Sequence, residues 1–270
     1  MINYKLSFIE SPSEIEINLN SSKSESNRLL IIKSLSDNKI ELENLSHAND
    51  TVLLKNLIRS NSQNIWDAED AGTTMRFLTS FLAVTKQGVL LTGTERMKKR
   101  PIKILVDALN KIGAEISYTE KDGYPPIKIN RKISQIKESI SIRGDISSQY
   151  ISSLLMIAPV LPNGLKIDVM PPFYSKPYVM MTLNLMKKFG IKYDLSEDSI
   201  SINNQEYKSG SYKVESDWSA ASYWYSFISI NKKLKEIKLK GLREHSFQGD
   251  QVIKKIMTLF NVETLSLIHI

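Results

Sequence analysis

A recurring helix pattern constrains the fold of this chain more than any other feature of its sequence. Pro101 opens a stretch whose apolar residues have the i, i+3, i+4 spacing of an amphipathic helix, and Gly113 closes it. Similar stretches open at Asp50, Pro177 and Asp250. Each is followed by alternating apolar and polar residues, which is typical of a strand. The pattern predicts an α/β or α+β protein in which a βαβα-type unit is used several times.

A second group of predicted helices opens with small hydroxyl or acidic residues, near Ser21, Asp70, Ser147 and Asp217. Such residues are commonly simple N-caps. A helix N-terminus also presents unpaired N–H groups and partial positive charge, so it can bind an anion. These two interpretations stay open for each helix taken alone.

The first of these helices carries the clearest sign of a ligand. Ser22 and Glu25 have the spacing of a capping box, and Lys23 and Arg28 follow the cap closely. Cations in a first turn oppose the helix dipole, so their placement favours an anion between them over a pair of solvated side chains. Basic or hydroxyl groups recur in three other segments, Arg96–Pro101, Ser147–Gln149 and Ser175–Tyr178.

The amino-acid composition excludes several classes of function. The chain has no cysteine, which excludes disulfides, thiolate nucleophiles and cysteine-ligated metals. Its three histidines are scattered without metal-ligand spacing, so no metal site is expected. The formal net charge of +7 favours anionic partners, but the dispersed lysines argue against nucleic acid. The sequence shows neither a long apolar run nor a signal peptide, so we expect a cytoplasmic protein without membrane association.

Six segments, in order along the chain, resemble the motifs of one enzyme family, the 3-phosphoshikimate 1-carboxyvinyltransferases or EPSP synthases. Any one segment alone is weak evidence, and the ordered set is specific. The family patterns are S-K-S-x-S-N-R, N-A-G-T-x-x-R, L-T-G-x-x-R-M-x-x-R-P-I, G-x-x-S-S-Q, S-x-P-Y and V-E-x-D-x-S-S-A-S-Y. They are matched in this chain at Ser22–Arg28, Asp70–Arg76, Leu91–Ile102, Gly144–Gln149, Ser175–Tyr178 and Val214–Tyr223.

The resemblance implies a reaction of the shikimate pathway, which leads to chorismate and the aromatic amino acids. In the family, phosphoenolpyruvate donates its enolpyruvyl group to the 5-hydroxyl of shikimate 3-phosphate, and phosphate leaves through a tetrahedral intermediate. Both substrates are small anions, which agrees with the basic helix starts. The resemblance implies no cofactor, and the family suggests a monomer.

The same resemblance implies roles for particular residues. Lys23 would contact both substrates and act electrostatically in catalysis. The residues expected to bind shikimate 3-phosphate are Lys23, Ser24, Arg28, Ser147, Ser148, Gln149, Ser175 and Tyr178. The residues expected to bind phosphoenolpyruvate are Lys23, Gly72, Arg96 and Gln149.

The family fold has two domains, each built from three βαβαββ units. By this resemblance, residues 21–212 would form a complete substrate-binding domain, and residues 1–20 with 213–270 part of a second one. The family's catalytic Asp, its K-E-x-D-R and D-H-R segments and a late Lys would lie beyond residue 270, so we expect this chain alone to bind weakly and turn over poorly or not at all. We also expect apolar residues such as Ile253, Ile256 and Phe260 to lack full cover and to favour self-association.

One residue departs from the family pattern, and two other functions stay open. Asp70 stands where the family usually has Asn, and its carboxylate should weaken anion binding unless it is paired or turned away. The sister enzyme that acts on a UDP-sugar shares the fold, but it typically uses a cysteine and lacks the Ser-Lys-Ser start. A non-catalytic fragment that binds anions or nucleic acid on the same fold is the remaining alternative.

Overall fold

The computed structural model describes residues 14–60, 64–231 and 233–266. Contacts divide the chain into two compact units. The central unit comprises residues 21–214, and the terminal unit comprises residues 1–20 together with 215–270.

Helices and strands alternate through most of the described residues, so the α/β (α+β) class predicted from the sequence is confirmed. In chain order the helices are α1 (Lys23–Leu35), α2 (Asn49–Arg59), α3 (Gly72–Thr85), α4 (Lys103–Ile112), α5 (Ser148–Ile157), α6 (Lys176–Lys188), α7 (Trp218–Ile230) and α8 (Ile253–Met257). The strands are β1 (Glu14–Asn18), β2 (Ile40–Glu43), β3 (Ile65–Asp67), β4 (Val89–Thr92), β5 (Glu115–Tyr118), β6 (Ile127–Arg131), β7 (Ser139–Arg143), β8 (Leu165–Met170), β9 (Asp194–Leu195), β10 (Ser199–Ile202), β11 (Gly210–Lys213) and β12 (Glu236–Lys240).

The central unit contains the order βαβαββ twice. The first copy runs from β3 to β6 and forms a sheet of order β3-β4-β6-β5, and the second runs from β7 to β10 and forms a sheet of order β7-β8-β10-β9. In both copies the first two strands are parallel and the other pairs are antiparallel. The repeat that the recurring helices predict is therefore present in these two copies.

The first and last strands of the central unit pair with each other. β2 lies parallel to β11, with Ile40 opposite Gly210 and Lys213 opposite Glu43. Helix α1 precedes β2 and α2 follows it. The β2–β11 pair with these two helices therefore forms a further group of strands and helices, built from the two ends of the central unit.

Helices α1, α3, α5 and α6 pack against one another. Nearly every residue of α3 and α5 is buried, as expected of helices that are apolar on all sides and packed within a core. Neighbouring helices therefore pack around the N-terminal ends of α3 and α5 and fix the positions of the polar residues there. This packing brings the starts of these helices to one site.

In the terminal unit, β1 pairs in parallel with β12. A small apolar cluster of Trp218, Ala221, Tyr225 and Met257 connects α7 with α8. The buried carboxylate of Glu215 accepts hydrogen bonds from Trp218 Nε1 at 2.8 Å and from Ser246 Oγ at 2.6 Å. These bonds satisfy a polar group that would otherwise destabilise the core.

The helix predicted from Asp250 is shorter than its apolar pattern suggests. Only Ile253–Met257 is α-helical, and 3₁₀ turns flank it on both sides. Asn261 takes the left-handed conformation with φ 58°, which is the conformation of a helix C-terminus. No helix among the described residues is long and apolar enough to cross a membrane.

Candidate active site

Two helix starts of the central unit have the hydroxyl caps that the sequence predicts. Ser22 Oγ accepts a hydrogen bond from Glu25 N at 3.4 Å, and Ser147 Oγ accepts one from Gln149 N at 3.4 Å. Helices α3 and α6 begin without a side-chain cap bond at the preceding residue. In α6, Pro177 has no N–H, and the amides of Tyr178 and Val179 donate to Ser175 O. The start of α3 is therefore the better candidate for offering backbone amides to another acceptor.

A cavity of about 270 Å³ lies where α1, α3, α5 and α6 begin. Its lining combines cations, hydroxyls and amides and contains no acidic side chain. The lining residues are Lys23, Ser24, Asn27, Arg28, Thr73, Ser148, Gln149 and Tyr178. A concave site with this set of donors is suited to a small polyanion that also carries hydroxyl groups.

The guanidinium of Arg28 forms part of this cavity and is almost fully buried. Its Nε donates to Thr182 Oγ1 at 2.7 Å, and its Nη1 donates to Ser24 O at 2.9 Å. Its Nη2 lies 3.3 Å from Ser152 Oγ. Burial lowers the pKa of Arg28 to about 10, although the charge of Glu25 opposes that shift. Nη2 also lies 3.5 Å from the Tyr178 carbonyl oxygen. All of these acceptor oxygens are neutral, so the positive charge of Arg28 is available to an incoming anion.

Lys23 and Gln149 extend the donor set on either side of Arg28. The Lys23 ammonium lies 3.9 Å from the Asp50 carboxylate, and its side chain is about half exposed, at 47%. Gln149 Nε2 donates to Thr73 Oγ1 at 3.0 Å and thereby ties the start of α5 to the start of α3. The cavity therefore has a buried cation, Arg28, and a more accessible one, Lys23.

Three arginines lie near the start of α3. Arg76 Nη1 donates to Gly72 O at 2.8 Å, and Arg100 Nη1 donates to Asp70 O at 3.3 Å. Burial lowers the pKa of Arg100, and the charges of Arg76 and Arg96 lower it further. The Nε of Arg76 is buried and has no hydrogen-bond partner within the described part of the chain. Like charges placed together in this way favour a bound anion.

Glycine at position 72 leaves room for this arrangement. A Cβ added to Gly72 would lie 2.3 Å from Nη2 of Arg100, well inside contact distance. Gly72 therefore allows the guanidinium to approach the backbone at the first residue of α3.

The structure brings most of the predicted site residues together. Six of them line the cavity: Lys23, Ser24, Arg28, Ser148, Gln149 and Tyr178. Ser147 and Gly72 each adjoin a lining residue, and the Ser175 hydroxyl donates to Ile146 O at 3.3 Å. Arg96 lies on an exposed turn outside the lining, and its charge lowers the pKa of Arg100. The individual ligand contacts assigned to these residues stay predictions.

Asn27, Thr73, Arg76 and Arg100 were not among the predicted site residues. Asn27 follows Lys23 by four positions, so helical spacing alone places both on one face of α1. Arg76 and Arg100 stand inside the matched motifs. The bond from Arg76 to Gly72 O joins residues four positions apart within α3, whereas the approach of Arg100 to Gly72 depends on how α3 packs against the turn after β4. The approach of Arg100 is a tertiary feature without a local sequence signal.

The Asp70 carboxylate accepts a hydrogen bond from the Thr94 hydroxyl. It is thereby paired with a neutral group, not with one of the nearby cations. Asp70 is exposed and lies two residues before the first residue of α3. Its backbone carbonyl accepts from Arg100 Nη1, which places Asp70 beside the segment that carries Arg96 and Arg100. Elsewhere in the described ranges, no group of three or more His, Cys, Asp or Glu side chains could hold a metal ion.

The fold is shared with solved EPSP synthases. One from Acinetobacter baumannii, solved at 2.37 Å, superposes with a TM-score of 0.71 over 86% of this chain and 56% of that one, at 18% identity. A second EPSP synthase structure from the same organism superposes with a TM-score of 0.70. At this identity the similarity defines the class of fold.

Sequence comparison identifies the family. The profile of EPSP synthase (3-phosphoshikimate 1-carboxyvinyltransferase) matches residues 54–264, and the chain belongs to this family. It is 45% identical over 260 residues to a 3-phosphoshikimate 1-carboxyvinyltransferase of Bacteroides fragilis, covering 95% of this chain. It is 37% identical to one from Buchnera aphidicola, covering 92% of this chain. The chain spans 62% of the length of both relatives.

Proposed function

We propose that this chain takes part in the transfer of the enolpyruvyl group of phosphoenolpyruvate to the 5-hydroxyl of shikimate 3-phosphate. The products are 5-enolpyruvylshikimate 3-phosphate and phosphate. The central unit supplies the substrate-binding domain, and its cavity binds shikimate 3-phosphate. Family membership supports this reaction, and the donor-rich cavity supports the anionic substrate.

Arg28 is the observation that carries the proposal. A buried guanidinium normally has a carboxylate partner, because an uncompensated charge in the interior is costly. Arg28 instead meets the hydroxyls of Thr182 and Ser152 and the carbonyl of Ser24. A phosphate monoester supplies the missing negative charge and accepts charge-assisted hydrogen bonds.

The other lining residues fit the remainder of the same substrate. Ser148, Gln149 and Tyr178 offer hydroxyl and amide groups that can hold the ring hydroxyls and carboxylate of shikimate 3-phosphate. Ser24, Ser147 and Ser175 add hydroxyls at or beside the starts of α1, α5 and α6.

Phosphoenolpyruvate binds, in this proposal, at the start of α3. The Gly72 amide, Arg96 and Gln149 contact it, and Lys23 lies between the two substrates. As the 5-hydroxyl oxygen bonds to C2 of phosphoenolpyruvate, the hydroxyl loses its proton and C3 gains one, which gives the tetrahedral intermediate. Phosphate then leaves as C3 loses a proton and the double bond re-forms. The phosphate and carboxylate oxygens carry negative charge in the intermediate. Lys23 and Arg96 stabilise that charge electrostatically before phosphate leaves. The proposal includes a cytoplasmic location, because both substrates are charged metabolites that enter lipid poorly.

Calorimetric titration with shikimate 3-phosphate tests the proposal. The wild-type chain should bind, and Arg28→Ala should weaken binding by about 10- to 100-fold, because hydrogen bonds to a charged group contribute roughly 1.5–3 kcal/mol each. Arg59→Ala is the matched control, since Arg59 is exposed near the C-terminal end of α2. That variant should bind as the wild type does.

Two results would contradict the proposal. Equal weakening by Arg28→Ala and Arg59→Ala would show that binding depends on net charge and not on the cavity. Preference for a polynucleotide, with a steep dependence of affinity on salt, would instead support the nucleic-acid-binding alternative. Thermal unfolding of each variant at matched salt separates lost binding from lost structure.

A further inference from the structure

Arg28 is held in the cavity by a network of hydroxyl groups from two other helices. Its Nε donates to Thr182 Oγ1 of α6 at 2.7 Å, the shortest of its hydrogen bonds among the described residues. Its Nη2 faces Ser152 Oγ of α5, and Thr182 Oγ1 donates to Ser152 Oγ at 2.8 Å. Both hydroxyl residues are completely buried. The guanidinium is therefore fixed on its Nε and Nη2 sides by neutral oxygens.

The remaining contacts of Arg28 set the plane of the guanidinium. The Phe77 ring lies against it, with 5.5 Å from Cζ to the ring centroid. Nη1 donates one hydrogen bond, to Ser24 O, and a primary guanidinium nitrogen carries two N–H groups. The second Nη1 N–H consequently has no acceptor within the described part of the chain. Nη2 donates to Ser152 Oγ and, at 3.5 Å, to the Tyr178 carbonyl oxygen. Among the described residues, the second Nη1 N–H is therefore the one left for a ligand oxygen.

We propose that Thr182 is a positioning residue, which orients Arg28 for a phosphate oxygen without neutralising it. A carboxylate at position 182 would hold the guanidinium equally firmly, but it would compete with the ligand for the same positive charge. A threonine hydroxyl fixes the Nε side and adds no opposing charge. The Thr182 hydroxyl is itself held by two acceptors, Ser152 Oγ at 2.8 Å and Tyr178 O at 3.0 Å. The phosphate ligand rests on the proposed function, whereas the orientation of Arg28 does not.

Two measurements on the full chain test this role. The first is the rate at which the Arg28 Nε–H exchanges with solvent, followed by nitrogen-edited NMR without any ligand. The resonance is assigned by its absence in Arg28→Lys. The second is the affinity for shikimate 3-phosphate, measured by calorimetry.

Thr182→Val removes the hydroxyl at nearly constant volume, and Thr182→Ser retains it. Thr79→Val is the matched control, because Thr79 is equally buried and its hydroxyl donates to Met75 O of its own helix, at 2.8 Å. We expect Thr182→Val to accelerate Nε–H exchange at least tenfold and to weaken ligand binding about tenfold. Thr182→Ser should restore both values, and Thr79→Val should change neither.

Unchanged Nε–H exchange in Thr182→Val would overturn the proposal, as would equal changes in Thr79→Val. Faster exchange with unchanged affinity would overturn the link from Arg28 orientation to the ligand. If the wild type itself does not bind shikimate 3-phosphate, the proposed function fails, while faster exchange confined to Thr182→Val still supports the positioning of Arg28. Should Thr182→Val not fold, Ser152→Ala takes its place, with the same exchange and affinity criteria.

Discussion

Arg28 is placed at a cost to stability. Burial lowers the pKa of its guanidinium from its ordinary value to about 10, so the charged form is disfavoured by folding. For a base with a lowered pKa, the unfavourable contribution is fully present below about pH 10 and disappears as pH rises toward the ordinary pKa of the group. Throughout the physiological range the group is charged and destabilising. Such a group is retained where a ligand supplies the opposing charge.

Asp70 places a negative charge just before the start of α3. Its carboxylate is hydrogen-bonded to the Thr94 hydroxyl, and its backbone carbonyl accepts from Arg100. Both bonds connect the residues before α3 to the segment that carries Arg96. An asparagine could accept the hydrogen bond from Thr94 through its side-chain oxygen. The two residues then differ in the negative charge of aspartate and in the two N–H donors of asparagine.

Asp70→Asn should therefore strengthen binding of phosphoenolpyruvate without loosening the loop. Removing one negative charge near the site changes the binding free energy by on the order of 1 kcal/mol, or roughly fivefold in affinity. Calorimetry at low salt measures the difference, which should shrink at high ionic strength as the charges are screened.

Asp37→Asn serves as the matched control for that substitution. Asp37 is 87% exposed, in the turn that follows α1, and its positive φ of 53° suits asparagine equally well. Its removal changes the net charge by the same amount and should leave affinity within twofold. Weaker binding by Asp70→Asn would show instead that the carboxylate holds the loop in a way that an amide does not reproduce.

At the level of elements, the proline, glycine and serine residues at predicted helix ends located the helices well. Pro101 and Gly113 bracket α4 as expected, and Gly113 has the positive φ of a helix C-terminus. Ser22 and Ser147 cap the helices predicted to follow them. These signals are local, because they depend on backbone groups within one turn of the residue concerned.

The contacts between elements could not be predicted in the same way. Thr182 lies in the middle of α6, where its spacing indicates only a buried helix face. Its bond to Arg28 joins residues 154 positions apart, and nothing in either local sequence specifies it. The family motifs gave the lining residues, whereas the groups that orient them emerge only from packing.

Gly113 should be the more sensitive of two glycines with positive φ. A Cβ at Gly113 would lie 2.0 Å from the backbone oxygen of Ser134, whereas a Cβ at Gly88 would meet nothing within 4 Å. Both alanine variants incur conformational strain of roughly 1–2 kcal/mol. Gly113→Ala also has to displace the backbone at Ser134, and its free energy of unfolding should fall by at least about 1 kcal/mol more. Urea unfolding of the two variants measures the difference. Equal losses in the free energy of unfolding would show that the backbone at Ser134 moves without cost.

At the scale of the whole molecule, the two units differ in how well they bury apolar residues. In the described ranges the core of the central unit draws on α1 to α6 and both four-stranded sheets. In the terminal unit, Leu259, Phe260 and Ile256 are exposed. Ile253 instead packs against the cluster around Trp218, so the expectation of missing cover holds for Ile256 and Phe260 but not for Ile253.

The exposed face of α7 also carries large apolar side chains. Tyr223 is 77% exposed and Ile230 is 80% exposed, on a helix whose opposite side packs Ala221 and Tyr225 into the unit's own core. A helix that is apolar on both sides is normally covered on both sides. Apolar surface of this kind promotes association between molecules in water.

We therefore expect the chain to self-associate through the terminal unit. The double substitution Leu259→Ser with Phe260→Ser should shift the population toward monomer. It removes two large apolar side chains that follow α8 and are 82% and 60% exposed. Light scattering coupled to size-exclusion chromatography, over a range of concentrations, measures the change. Ile136→Ser is the control, since Ile136 is 71% exposed but belongs to the central unit. A wild-type chain that stays monomeric at every concentration would contradict the expectation, and a shift caused equally by Ile136→Ser would move the associating surface to the central unit.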